Sequence, residues 1–232
     1  MSKETITKPS FIDVAKEFLT PLELARLALS APTLSKQPKV DGIPVLVIPG
    51  LGADDLSTIV LRGYLNWLGY SSFGWGLGRN VGNLQESISN ASVVLEQKYE
   101  LGGLQPISIV GWSLGGVIAR ELARNKPQLI KQIITLGSPV VGGPKYTTFG
   151  RFYRASQVQL NSIEAKVEQR EKRPISVPLT AIYSRSDGVV GWQASIDSVN
   201  SQTEHLEVNA THLGLGISAE VFKILAQQLS RP

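Results

Sequence analysis

From about residue 43 onward, short apolar, β-branched runs alternate with stretches whose apolar positions recur at helical spacing. That order predicts an α/β chain: a mostly parallel sheet with helices on both faces. Strands are expected near 43–49, 70–75, 106–110, 132–137, 178–184 and 205–209, and helices near 56–68, 114–125 and 218–229. The clearest helix begins at Leu84 and carries Leu84, Ile88, Ala91, Leu95 and Tyr99 on one face, with Asn83 and Glu86 as a capping pair. A sheet of about six strands in one domain spanning residues 1–232 is the expectation, since 232 residues with 42% hydrophobic side chains can bury one large core.

Two segments break the alternation. Residues 1–40 carry the helix-start signal Thr20-Pro21-Leu22-Glu23, with threonine as N-cap, followed by Leu24, Leu27 and Ala28. A short amphipathic helix is expected there, packed against the sheet or serving as a surface-binding or gating element. Residues 142–175 hold Tyr146, Phe149, Phe152 and Tyr153 ahead of a charged helix with Leu160, Ile163 and Val167 apolar, and read as a small helical cap.

The most informative string is Gly111-Trp112-Ser113-Leu114-Gly115. A bare G-x-S-x-G arises by chance in a chain with 22 glycines. Here an apolar run, Ile107 to Val110, leads into it and a helical stretch follows, so the unit reads as a strand-turn-helix that pushes the Ser113 hydroxyl out toward substrate. A serine hydroxyl becomes a useful nucleophile when an imidazole takes its proton and a carboxylate orients that imidazole. The chain has two histidines. His205 begins a predicted strand, whereas His212 lies just past the carboxyl end of that strand, where loops of parallel sheets build sites. Asp187 leaves the strand at 178–184 on the same edge; Asp197, its competitor, lies in a less regular stretch. An aspartate before glycine often serves only a turn. Asp187 is preferred because Ser113, Asp187 and His212 each follow a predicted strand.

An oxyanion formed on Ser113 would need two N–H donors, each commonly worth about 3 to 4 kcal/mol. Leu114, next to the serine, is one. Leu51 is the other, in the loop Gly50-Leu51-Gly52 after the first strand. Gly50, Gly52 and Trp112 are expected to border the substrate. The loop Gly74-Trp75-Gly76-Leu77-Gly78 lacks dinucleotide spacing, and Gly50 with Gly52 lacks the Lys-Ser/Thr of a phosphate loop. Glycines 74–78 are read as bordering the pocket or as purely structural.

Absence of cysteine excludes disulfides and thiolate metal sites, and two histidines are too few for most histidine metal centres, so no metal or cofactor is expected. The net charge of +4 comes from scattered Lys and Arg without an aromatic-laced basic stripe, which argues against nucleic acid. Neither a signal-peptide core nor a run near ~18 apolar residues is visible, so cytoplasmic residence is expected. Peripheral membrane contact through the N-terminal helix stays open.

Taken together, Pro49-Gly50-Leu51-Gly52, Gly111 to Gly116, Ser186-Asp187-Gly188-Val189-Val190 and Thr211-His212-Leu213-Gly214 resemble the lipase and esterase branch of the α/β-hydrolase superfamily over about residues 43–229. The resemblance implies a catalytic triad of Ser113, Asp187 and His212 and a cap inserted at 142–175. Pro49-Gly50 stands where many members have His-Gly, and two early antiparallel strands are missing, which implies a reduced sheet. A serine-dependent carboxylic ester hydrolase is the expected function. An acyltransferase or thioesterase using the same triad is the alternative, and a noncatalytic lipid- or partner-binding protein is the alternative of another class.

Overall fold

The computed structural model describes residues 6–148, 165, 167 and 169–231. Among them, six strands form one parallel sheet: β1 (Pro44–Ile48), β2 (Ser71–Gly74), β3 (Ile107–Trp112), β4 (Ile130–Leu136), β5 (Leu179–Tyr183) and β6 (Glu204–Glu207), in the order β2-β1-β3-β4-β5-β6. Strand β1 is buried along its whole length. Val45 and Val47 face one core, and Leu46 and Ile48 face the other, which is why its sequence is apolar without alternation.

Helix α4 (Ile59–Trp67), with Leu61 and Leu65, shares the first core with α7 (Ala219–Leu229), with Val221, Phe222 and Leu225. Helices α5 (Leu84–Leu101) and α6 (Leu114–Asn125) cover the other face through Ile88, Ala91, Leu95, Ile118, Ala119 and Leu122. The predicted capping pair at α5 meets differently from expectation: the Asn83 amide donates to the Glu86 carboxylate at 2.7 Å, and no side-chain bond reaches the helix backbone. The chain winds outward from β1 to β2, then crosses back over β1 to β3. Loops leaving the carboxyl ends of β1 and β3 therefore diverge and open a crevice between them.

The N-terminal segment is almost continuously helical, through α1 (Phe11–Lys16), a 3-10 turn (Glu17–Leu19), α2 (Thr20–Leu29) and α3 (Ala31–Leu34). Thr20 does not cap α2, because the chain is already helical at Leu19; its hydroxyl donates to the Glu17 carbonyl at 2.7 Å. Nor is the inner face apolar as expected. Leu24 is exposed and Leu27 packs only partly, whereas Glu23 is buried and accepts from Arg26 at 2.7 Å. Phe11, Phe18, Leu22 and Leu29, at successive intervals of seven, four and seven residues, form an exposed apolar stripe on the outside.

A buried ion network anchors α6. The Arg120 guanidinium donates to Asp197 at 2.8 Å and to Glu171, and Arg124 donates to Glu121 and Glu171, each at 2.7 Å. Most of the cap predicted over 142–175, including Phe149, Phe152, Tyr153, Leu160 and Ile163, lies outside the described residues. Within it, a 3-10 turn spans Gly143–Tyr146, Thr147 bridges to Val190, and residues 165, 167 and 169–171 are helical. Among the described residues, no helix is long and apolar enough to cross a membrane.

Candidate active site

Ser113 sits at the junction of β3 and α6 with φ 54° and ψ −119°. A non-glycine residue there costs about 1 to 3 kcal/mol of backbone strain. The surroundings hold it: Ser113 N–H donates to the Leu136 carbonyl at 2.8 Å, and Gly116 N–H donates to the Ser113 carbonyl at 3.0 Å. The flanking glycines are required by contact. A Cβ on Gly111 would run into the backbone of Gly115 and Gly116, and one on Gly115 into the carbonyls of Ile48 and Pro49. Helix α6 can thus start hard against β1 and β3.

The loop after β1 passes directly beside this serine. A Cβ on Gly50 would lie 3.2 Å from Ser113 Cβ. Gly52, at φ +76°, turns the chain and spends its N–H on the Asn80 carbonyl at 2.7 Å. The fully buried Asn80 in turn donates its amide to the Pro49 carbonyl at 3.1 Å. Between these fixed points the N–H groups of Leu51 and Leu114 have no acceptor among the described residues. Asn80 was not legible in advance, since only the fold brings it under the loop.

Asp187 and His212 meet at the adjacent strand ends. His212 Nδ1 lies 2.7 Å from Asp187 Oδ2. Asp187 Oδ1 accepts from Val189 N–H at 2.8 Å and Val190 N–H at 2.7 Å, so the carboxylate serves the turn and the imidazole at once. Asp197, the competitor, is committed to Arg120, Asn200 and Thr203, and its backbone N–H donates to His205 Nε2 at 2.9 Å. Burial alone would raise the Asp197 carboxyl, but the Arg120 charge and the Asn200 hydrogen bonds hold it down at about 2. These two residues are structural partners away from Ser113.

The chain matches a family model described as the alpha/beta hydrolase fold over residues 68–163. A search of curated proteins found no match. Solved structures similar to it include a Bacillus licheniformis lipase, with a TM-score of 0.66 and 13% identity over 84% of this chain and 95% of that one. An alpha-beta serine hydrolase homologue from Coxiella burnetii superposes with a TM-score of 0.59 and 19% identity, over 84% and 89% of the two chains. A thioesterase domain from the curacin biosynthetic pathway does so with a TM-score of 0.54 and 16% identity, over 84% and 92%. This is the α/β-hydrolase fold. Its sheet here has six parallel strands among the described residues.

In this α/β-hydrolase fold, Ser113, Leu51, Leu114, Gly50, Trp112 and His212 line one cavity of about 460 Å³, within the range of small-ligand pockets. Its walls are largely apolar, with Leu84, Val117, Val167 and Leu213, and its titratable described members are Arg170 and His212. Gly52, expected at the substrate, does not line it; that residue shapes the turn behind. Residues 74–78 do not line it either, because the Asp55 carboxylate accepts from Trp75 N–H and Gly76 N–H at 3.0 Å each and holds the loop aside. Trp112 Nε1 donates to the His212 carbonyl at 3.2 Å, packing the two rings side by side. Among the described residues no group of three or more His, Cys, Asp or Glu could hold a metal ion.

One participant had no sequence signal pointing to the site. Glu17, from the N-terminal segment, accepts hydrogen bonds from Gly188, His212 and Leu213 N–H groups. Burial works to lower the His212 pKa, but the Asp187 charge and hydrogen bond, with a contribution from Glu17, outweigh it and leave the imidazole raised above its ordinary value of 6.5. A negative partner favours the imidazolium, so removing it must move the titration to lower pH. Proton-detected NMR of the imidazole is expected to give a His212 midpoint above the ordinary value in the wild type and a lower one in Asp187→Asn; equal midpoints would contradict the electrostatic coupling.

Proposed function

We propose that the protein is a serine-dependent carboxylic ester hydrolase. The observation that carries this reading is the close His212–Asp187 pair, whose imidazole lines the same cavity as a serine held at positive φ beside two backbone N–H groups without an acceptor among the described residues. In this mechanism, Ser113 Oγ attacks the acyl carbonyl carbon while His212 Nε2 takes the hydroxyl proton. Asp187 keeps the other ring nitrogen protonated and stabilises the imidazolium. The N–H groups of Leu51 and Leu114 receive the negative oxygen of the tetrahedral intermediate. His212 returns its proton to the departing alcohol, leaving an acyl-Ser113 ester. Water, deprotonated by the same imidazole, then releases the acid and regenerates the serine.

The apolar cavity walls favour an acyl chain over a sugar or a phosphate, so medium to long acyl esters are the proposed substrates. No cofactor enters this chemistry. A lipase of the same fold supports the reading, and a thioesterase domain of the same fold supports a second one, in which the acyl donor is a thioester. The triad serves either leaving group, and an acyltransferase differs only in the acceptor that replaces water.

The outward stripe of Phe11, Phe18, Leu22 and Leu29 supports peripheral contact with a lipid surface, because the same segment abuts the His212 loop and the half-exposed Leu213 at the cavity edge. Phosphatidylcholine vesicles are expected to co-sediment with the wild type and to lose a Phe11→Ser, Phe18→Ser variant; equal sedimentation of both contradicts the contact. For the chemistry itself, p-nitrophenyl esters of rising acyl length should be cleaved by the wild type with a preference beyond acetate. Ser113→Ala should lose about 10³-fold or more of kcat/KM while keeping its circular dichroism spectrum. An acetate optimum would sink the acyl-chain proposal, and an undiminished Ser113→Ala rate would sink the nucleophile.

A further inference from the structure

We infer that Glu17 is a positioning residue for Asp187 and His212, acting as an ionic clamp that the N-terminal helical segment inserts between their two loops; the inference rests on the triad reading above. Three backbone N–H donors converge on its carboxylate. Gly188 and His212 donate to Oε1 at 2.8 and 2.7 Å, and Leu213 donates to Oε2 at 2.9 Å. One donor belongs to the histidine itself, and another to the residue after the aspartate. The partners are 171, 195 and 196 residues away along the chain, so these bonds form only when the segment is docked.

Nothing in the helix itself calls for a carboxylate at this position. Glu17 stands where α1 passes into the 3-10 turn, and its carboxylate accepts from no group of its own helical segment among the described residues. The adjacent cation, Lys16, is paired with Asp13 at 2.8 Å, and Glu17 forms no ion pair among the described residues. Its charge is met by the loop N–H groups, the arrangement in which an anionic acceptor binds most strongly. The fit around it is close. A Cβ on Gly188 would strike the Asp13 carbonyl and come within 2.9 Å of Glu17 Cγ. Thr20 Oγ1 and Thr211 Oγ1 form a second tie at 3.0 Å, and Gly214 N–H donates to the same Thr211 hydroxyl at 3.0 Å. The clamp therefore fixes the backbone on both sides of the 2.7 Å Asp187–His212 contact.

The charge has a second consequence. Among the described residues the charges that act on the His212 ring are those of Asp187 and Glu17, both negative, while Arg170 lines the same cavity. Glu17 therefore adds to the preference for the imidazolium that Asp187 establishes. Replacing it with glutamine keeps the shape, removes the charge and turns an amide NH₂ toward donors that need an acceptor.

The test compares wild type, Glu17→Gln and Glu17→Asp by pH profile with a short p-nitrophenyl ester and by NMR titration of His212, with thermal melting as a control. Glu17→Gln should lose about tenfold or more in kcat with KM little changed, and the acid limb of kcat/KM and the His212 NMR midpoint should both move to lower pH. Glu17→Asp, which keeps the charge, should restore the midpoint toward wild type. A Glu17→Gln enzyme with wild-type kcat and an unmoved midpoint overturns the inference, as does a loss confined to melting temperature. A wild type without esterase activity fails the triad reading instead; the NMR midpoints still decide whether Glu17 acts on His212.

Discussion

The reversal of the chain at Ser113 is the constraint from which the rest of this arrangement follows. Strand β3 must end, turn within one residue at φ 54°, and start a helix that runs back along the sheet. That path is open only if α6 begins against bare backbone, which is the reason for glycine at 111 and 115, while a Cβ on Gly116 would strike the Ser138 side chain. Once α6 is seated, the N–H of Leu114 has no helical acceptor and stays beside the serine. The β1 loop reaches the same point because the winding reverses between β1 and β3, and Asn80 holds it there from below. Strain at Ser113 is thus supported from several directions, as a residue at a reactive position requires.

The other half of the site is assembled by electrostatics. Asp187 is held by its own turn, His212 by Asp187 and by Trp112, and both loops by the carboxylate of Glu17. Each anion is satisfied by N–H groups or by the imidazole, and the charges that raise the histidine's proton affinity are those of Asp187 and Glu17. Arginines of α6 are spent elsewhere, in the network with Asp197 and Glu171. This division explains why the two aspartates that follow β5 behave differently. Asp187 orients an imidazole, while Asp197 neutralises a buried guanidinium.

Much of the scaffold was legible because a parallel sheet covered on both faces writes itself as apolar runs. Val45 to Ile48 and Ile107 to Val110 appear in the sequence as strands of this kind, and the helical periodicity from Leu84 onward is equally plain. The placements of Ser113, Asp187 and His212 at strand ends followed from those runs. What stayed hidden depended on contacts between distant segments. The first helices look amphipathic, but their apolar residues Phe11, Phe18, Leu22 and Leu29 face outward, while the inner face carries the buried Glu23 and the Glu17 carboxylate, which is bonded to loops nearly 200 residues away. Glu17 looks like any solvated charge on a helix. The glycines at 74–78 read equally as a pocket border or as structural, and the Asp55 bonds that hold the loop aside are ones that spacing cannot announce.

Whether Ser113 is activated is the claim on which the chemical account stands. The direct measurement is labelling of the folded wild-type protein with a fluorophosphonate, followed by peptide mass spectrometry. The account predicts one adduct, on Ser113, absent from Ser113→Ala and formed far more slowly in His212→Ala. An unlabelled wild type that retains its native circular dichroism spectrum, or an adduct on a different serine, would contradict it.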